Sequence, residues 1–346
     1  MLSKKQILIE VGPGIGDLII ITPTLAKIKE LYPNCRISIL TAKTSAPIIE
    51  RLTCVDNIYY FEKHNFLVKI KSLLHLRKQD FIILTNYQPA LAIGSWLLRV
   101  PNRAGICKKK YWNLPFLNCK FPYDLIIRTS QLQIFQERIS QALQIKLPLT
   151  KNFLVSLPTN KEETSLKNKL LLENFQLNQP YAVISPYGNS SFNLPKPLIK
   201  EATEYLTQKY HLTCILIDSK EHDFSDIIDN NLTKKRIINL CGKTSLMEIV
   251  SLLQHATISV CTDSGPVHIS CACKTPTVDI FSNGVPERWA VSEYCYPVSS
   301  HADCSPCQIK QEDCTHKKCI NDITSKMVCD QIDIVMKQIN KTNLSC

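Results

Sequence analysis

The chain has 346 residues, long enough for two domains with separate cores. Its apolar fraction of 45% excludes a disordered chain, and no apolar run reaches the ~20 residues that span a bilayer. The net charge of +11 comes entirely from the first half: residues 1–150 hold 21 Lys+Arg against 9 Asp+Glu, whereas residues 151–346 hold 20 against 21. A basic half suits a phosphorylated or carboxylated partner, an anionic membrane or nucleic acid. A plain lysine bias is the alternative, but a bias would spread evenly. The densest patch is Lys108-Lys109-Lys110 followed by Tyr111 and Trp112, which fits phosphate, a membrane interface or a solvated loop.

Lys4 and Lys5 lead into a short strand and a glycine turn, not into the apolar stretch of a secretion signal. That predicts a cytoplasmic chain with reduced thiols. In the first half, apolar runs at 7–11, 36–42, 57–61 and 80–85 read as strands. Helical patterns lie between them, and Pro23 is expected to kink or restart the helix that begins near Asp17. The alternation predicts βαβ units and a parallel sheet. Residues 158–178 read as a helix plus linker.

The second half repeats the scheme. Strands are expected at 181–185, 214–217, 237–240, 258–261 and 277–281, with helices over about 197–210 and 245–254 and a final helix over 323–340. The resulting division is 1–157 for a first domain, 158–178 for the linker, 179–325 for a second domain, and 326–346 for a C-terminal helix and tail.

Two turns carry the functional signal. Gly12-Pro13-Gly14-Ile15-Gly16-Asp17 follows the first strand, and Thr262-Asp263-Ser264-Gly265-Pro266-Val267-His268 follows the strand at 258–261. Both read as a parallel strand entering a helix, where open α/β sheets bind ligands and helix N-termini attract anions. The first is a poor dinucleotide fingerprint. Its third glycine position holds Asp17, and no acidic residue ends the second strand (Leu40, Thr41, Ala42, Lys43). Asp17 is then either a helix N-cap or a carboxylate able to take a proton from a substrate hydroxyl. In the second turn, Ser264, Gly265 and the amides beyond suit a diphosphate, with Pro266 at the start of the helix. Asp263 would repel phosphate, so it orients the turn or bonds a sugar hydroxyl. His268 is either a phosphate donor or a packed histidine.

Gly16-Asp17-Leu18-Ile19 with Thr22-Pro23-Thr24-Leu25, Gly242-Lys243-Thr244-Ser245-Leu246, and Asp263-Ser264-Gly265-Pro266-Val267-His268-Ile269 together resemble glycosyltransferase family 9, the heptosyltransferases of lipopolysaccharide core assembly. The segment Cys304-Ser305-Pro306-Cys307 with His316 to Ile323 is similar to one in that family. The resemblance runs from about residue 5 to 335. It implies a GT-B type α/β fold, with two Rossmann-like parallel-sheet lobes facing a cleft. It implies inverting transfer from a nucleotide sugar, usually ADP-heptose, with no metal and no cofactor; the chain has no Asp-x-Asp pair. Asp17 takes the place of the catalytic base, with Gly14 and Gly16 in the acceptor-side loop. Gly188, Asn189, Glu221, Thr244, Asp263, Ser264, Gly265 and His268 take the places of donor contacts. The acceptor would be an acidic lipid-linked saccharide, met by a protein lying peripherally on the cytoplasmic face of the inner membrane. Nucleic acid is not expected, because aromatics are not interleaved with Lys/Arg.

One departure stands out. The family usually carries a basic residue just before a Trp-Pro, where this chain reads Ser191-Phe192-Asn193-Leu194-Pro195. Lys196 and Lys243 are the substitutes within reach. A lost cation implies another donor, low activity or, as the alternative function, a degenerate non-catalytic nucleotide-sugar or lipid-sugar binding protein. Cys304, Cys307, Cys314 and Cys319 have a partly zinc-like spacing, open to a structural metal, to disulfides formed on handling, or to packed free thiols.

Overall fold

The computed structural model describes residues 2, 4–60, 76–123, 128–188, 192–225, 236–307 and 309–344. They form two compact units, Met1–Ser156 and Leu157–Cys346.

In the first unit, β1 (Gln6–Glu10) passes through the glycine turn into α1 (Ile15–Ile20). A break at Ile21 separates α1 from α2 (Thr22–Leu31), with Pro23 in the first turn of the new helix, where its missing N–H costs nothing. Then come β2 (Arg36–Thr41), β3 (Asn57–Tyr60), β4 (Phe81–Leu84), α3 (Pro89–Leu97), β5 (Asn102–Cys107), β6 (Cys119–Pro122) and α4 (Gln131–Leu143). The sheet order is β3-β2-β1-β4-β5-β6, and every pairing is parallel. The chain winds outward from β1 to one side, then from β4 to the other, so the topological switch point lies between β1 and β4.

The second unit begins with α5 (Asn160–Leu172), the helix of the segment read as a linker. A capping box between Thr159 and Glu162 starts it. Its Lys169 reaches Glu248 at 2.7 Å and donates to the Lys243 carbonyl, tying the helix to the second unit. There follow β7 (Tyr181–Ser185), α6 (Lys196–Lys209), β8 (Thr213–Leu216), β9 (Ile237–Asn239), α7 (Leu246–Gln254), β10 (Ile258–Thr262), α8 (Gly265–Ala272), β11 (Thr277–Phe281), α9 (Pro286–Trp289), β12 (Cys295–Ser299), α10 (Lys318–Asn321) and α11 (Ser325–Leu344). The order β12-β11-β10-β7-β8-β9 is again all parallel, with its switch point between β10 and β7. The central strands are buried on both faces: β7, β10 and β11 carry no exposed residue. α11 closes one face, and its Asp333 accepts from Lys209, Tyr205 and Tyr210 at 2.7 Å each.

Four elements of the first unit, α3, β5, β6 and α4, lie where the sequence pattern predicted nothing. Among the described residues no helix is long and apolar enough to cross a membrane.

Candidate functional site

At the first switch point the glycine turn is held by Thr41, whose hydroxyl donates to the Gly12 carbonyl at 3.1 Å, and by Ser45, which donates to the Pro13 carbonyl. The N-cap of α1 is Gly14, with no side-chain cap, so the N-cap reading of Asp17 fails. Asp17 stands three residues further on, half-buried in the first turn, where the positive end of the helix dipole favours a carboxylate. Its Oδ2 lies 3.2 Å from where a Cβ on Gly14 would stand, so the carboxylate folds back over the helix start. Gly16 is the half-buried residue before it.

A second carboxyl, which the sequence did not single out, sits at the end of β1. Glu10 is wholly buried. It accepts from the Asn86 amide N–H at 3.2 Å, from Asn86 Nδ2 at 3.4 Å and from Gln88 Nε2 at 3.2 Å. Burial pushes its pKa up to about 7, and the Asp17 charge adds to the rise, while the three neutral donors only partly offset it. A buried carboxyl whose pKa is raised by desolvation is a candidate functional group.

In the second unit the expected donor contacts fall along the carboxyl ends of β7, β8, β9 and β10. Gly188 follows β7 and meets the turn after β10: a Cβ there would stand 2.9 Å from Ser264 Cβ and 3.3 Å from Thr262 Cγ2. Only glycine permits that approach. Glu221, exposed after β8, packs on Gly242 after β9. Gly242 has φ +71°, and a Cβ on it would collide with Glu221 Cγ at 2.5 Å. Thr244, two residues on, has a buried hydroxyl with no hydrogen-bond partner among the described residues. Such a group costs free energy until something bonds it. Asn189 lies outside the described residues.

α8 begins at Ser264, whose hydroxyl donates to the Thr262 carbonyl at 2.8 Å instead of capping the helix. Gly265 and Pro266 open the helix, and the N-cap residue Ser264 makes no side-chain capping hydrogen bond. His268 is buried on this helix, 6.4 Å edge-on from the Trp289 ring. Desolvation lowers its pKa to about 4, so the ring is neutral at pH 7 and offers one N–H rather than a positive charge. Asp263 is half-buried, with Oδ2 2.9 Å from where a Cβ on Gly284 would stand. Burial raises its pKa to about 7. Asp279, at the centre of β11, is fully buried with one unbonded oxygen, and burial followed by the Asp263 charge drives it well above the carboxylate range. Neither shift was legible in the sequence.

Phe192, in the place of the family's basic residue, is a core side chain, 2% exposed. Its N–H donates to Ser282 and its carbonyl accepts from Thr262, which pins the loop across β10 and β11. Lys243 donates to the Asn239 carbonyl at 3.1 Å, and Lys196 is exposed in the first turn of α6. Tyr187, after β7, packs edge-on against His222 at 4.6 Å, and His222 meets Asp218 at 2.5 Å after β8. This aromatic corner also went unremarked in the sequence.

The fifteen described cysteines are free thiols, and the described residues contain no group of three or more side chains able to hold a metal ion. Cys314 and Cys319 are buried, Cys307 half-buried and Cys304 exposed. Burial, then the three neighbouring thiols, pushes Cys319 up to about 11. The loop has a mechanical role: Cys307 N–H donates to the Asn283 carbonyl, and Ser305 Oγ to the Ser282 and Gly284 carbonyls. It thereby braces the turn against which Asp263 packs.

Two Rossmann-like units in one chain, each an all-parallel six-stranded sheet with a switch point, give the chain a GT-B type fold. Residues 69–324 match the model of glycosyltransferase family 9 (heptosyltransferase), and the chain belongs to that family. It is 22% identical to lipopolysaccharide heptosyltransferase 3 of Escherichia coli K12 over 281 residues, covering 77% of this chain and 79% of that one. In fold it is similar to a family 9 glycosyltransferase from Veillonella parvula, at TM-score 0.78 and 14% identity over 97% and 98% of the two chains. It is also similar to E. coli ADP-heptose lps heptosyltransferase II, at TM-score 0.74 and 17% identity over 96% and 99%.

Proposed function

We propose that this glycosyltransferase moves a heptose from ADP-heptose onto a lipopolysaccharide core acceptor with inversion at the anomeric carbon. The observation that carries the reading is the Asp17 carboxylate at the β1–β4 switch point with the Glu10 carboxyl behind it. The names of the relatives supply the sugar and the pathway: one is a lipopolysaccharide heptosyltransferase, and a structural neighbour is an ADP-heptose enzyme.

In this mechanism an acceptor hydroxyl attacks the anomeric carbon of the donor. Asp17 takes its proton as the new bond forms, and the nucleoside diphosphate leaves. The uncapped start of α8 (Ser264, Gly265) receives the departing diphosphate, with one N–H from neutral His268. The unbonded Thr244 hydroxyl donates to the donor. Burial raises the Asp263 pKa, which favours its protonated form and lessens its repulsion of phosphate. Gly188 lets the loop after β7 come close to the Ser264 turn, and Glu221 and Asn189 bond donor hydroxyls. Gly14 and Gly16 shape the acceptor side. Transfer needs no metal, and a rate unchanged by EDTA checks that point.

The buried Phe192 favours a second reading, a protein that binds the sugar nucleotide without turning it over. Transfer and donor-hydrolysis assays with ADP-heptose separate the two. Turnover by wild type that Asp17→Asn abolishes supports the enzyme; binding without turnover supports the alternative. The protein works at the cytoplasmic face of the inner membrane, held there peripherally, since its acceptor is an acidic lipid-linked saccharide.

A further inference from the structure

α3 is apolar on every side. Its sequence, PALAIGSWL, has no charge, and its one hydroxyl, Ser95, is buried and donates to the Ala92 carbonyl. Ala92, Gly94 and Ser95 face the core. Yet Ile93 is 38% exposed, Trp96 39% and Leu97 65%. A helix apolar all round is normally buried, so this outer face is made to be covered.

The face continues onto the loop after β5. The Trp96 and Phe116 rings meet edge-on at 5.5 Å, joining α3 to a segment that exposes Tyr111, Trp112 and Leu114 by about two-fifths each. Two of the chain's three tryptophans therefore stand on one surface. The stretch of chain that carries them has charge of a single sign. Between Asp80 and Asp124 the sequence holds no acidic residue, but it holds Arg99, Arg103, Lys108, Lys109, Lys110 and Lys120. Arg99, Lys109 and Lys110 are exposed, and Lys120 donates to the Trp112 carbonyl, holding the loop in place.

Exposed Trp and Tyr beside exposed apolar residues, on a stretch that carries cations and no acid in sequence, match the acyl-headgroup boundary of an anionic bilayer. We propose that the outer face of α3 and the Tyr111–Leu114 loop dock onto anionic lipid, with Leu97 and Trp112 entering the boundary and Arg99, Lys109 and Lys110 meeting lipid phosphates. This deepens the peripheral placement proposed above and rests on that reading for the choice of a bilayer. A second copy of the chain would bury the same apolar residues but would bring Arg99, Lys109 and Lys110 up against like charges across a two-fold contact.

The test uses the full chain and vesicles alone, without donor or acceptor, so failure of sugar transfer and failure of docking are read separately. Wild type should sediment with phosphatidylcholine vesicles that contain phosphatidylglycerol, and release as salt is raised. Leu97→Ser with Trp112→Ser should weaken binding by roughly tenfold or more, and Lys109→Ser with Lys110→Ser by a similar factor at low salt. All four side chains are exposed, and unchanged melting temperatures confirm folding. In a protein with Trp96→Phe and Trp289→Phe, Trp112 emission should shift to the blue on anionic vesicles only. Equal binding to neutral vesicles, an unshifted Trp112, or variants that bind like wild type would overturn the proposal. So would light scattering showing a dimer that Leu97→Ser dissociates.

Discussion

The two units share one winding and differ in what stands at the turn. In the first, the crevice between β1 and β4 holds two carboxyls, Glu10 and Asp17, among neutral amide donors. In the second, the crevice between β7 and β10 holds a helix start without a side-chain cap and a glycine pressed against it, with an unbonded hydroxyl after β9. The scaffold supplies the place in both cases, and in the proposed mechanism a handful of side chains makes one a proton acceptor and the other an anion cradle. The outsides differ too, since the basic excess belongs wholly to residues 1–150.

If that division of labour holds, variants of the first unit change turnover and variants of the second change donor affinity. Asp17→Asn should lower transfer by ~10²–10⁴-fold while calorimetric ADP affinity stays within a factor of two or so. A fall in affinity as large as the fall in rate would erase the distinction.

Glu10→Gln should act through pH. Folding raises the Glu10 pKa to about 7, so the folded chain keeps a proton that the unfolded chain releases above the ordinary carboxylate range. Stability therefore falls as pH rises from about 4.5 to 7 and levels off above, by up to about 3 kcal/mol from this group. Urea melts across that window should be flatter in the variant than in wild type. Turnover should also lose a limb that rises through pH 7, because an ionised Glu10 strengthens Asp17 as a base. Parallel pH curves for both proteins would place the titration elsewhere.

In the second unit, Gly188→Ala puts a methyl 2.9 Å from Ser264 Cβ. Overpacking of this kind costs about 1–3 kcal/mol. Thermal melts should show that loss together with weaker ADP binding, and full donor affinity would remove Gly188 from the cradle. Thr244→Val is the subtlest case. It removes a hydroxyl that has no partner, so the ligand-free protein should keep or slightly gain stability. Donor affinity should fall by roughly tenfold, the worth of one hydrogen bond. An unchanged affinity would leave that hydroxyl without a role.

Much of the frame was legible along the chain. β1, β2, β7, β10 and β11 are short apolar runs bounded by turn residues, and Pro23 does divide α1 from α2. Ser245 and Glu248 spell the capping box that starts α7. The missed elements lack such marks. β5 contains Arg103 and Gly105, β6 ends in Pro122, and α3 is apolar without period. Their identity comes from the neighbours they pair with or pack on. Asp17 and the turn at Asp263 to His268 stood out because glycine, proline and acid cluster there. Thr244 stood out only through a family resemblance.

Local sequence determined where strands hand over to helices, because turns, caps and proline breaks are decided within a few residues by backbone sterics and nearby hydrogen bonds. It also determined the lopsided charge. Tertiary structure alone decided the state of the ionisable groups. Glu10 and Asp279 are ordinary carboxylates in the sequence until neighbouring strands on both sides remove water from them, and His268 is an ordinary imidazole until burial of its helix lowers its pKa to about 4. Desolvation depends on atoms far away in the chain, and no window of sequence contains them.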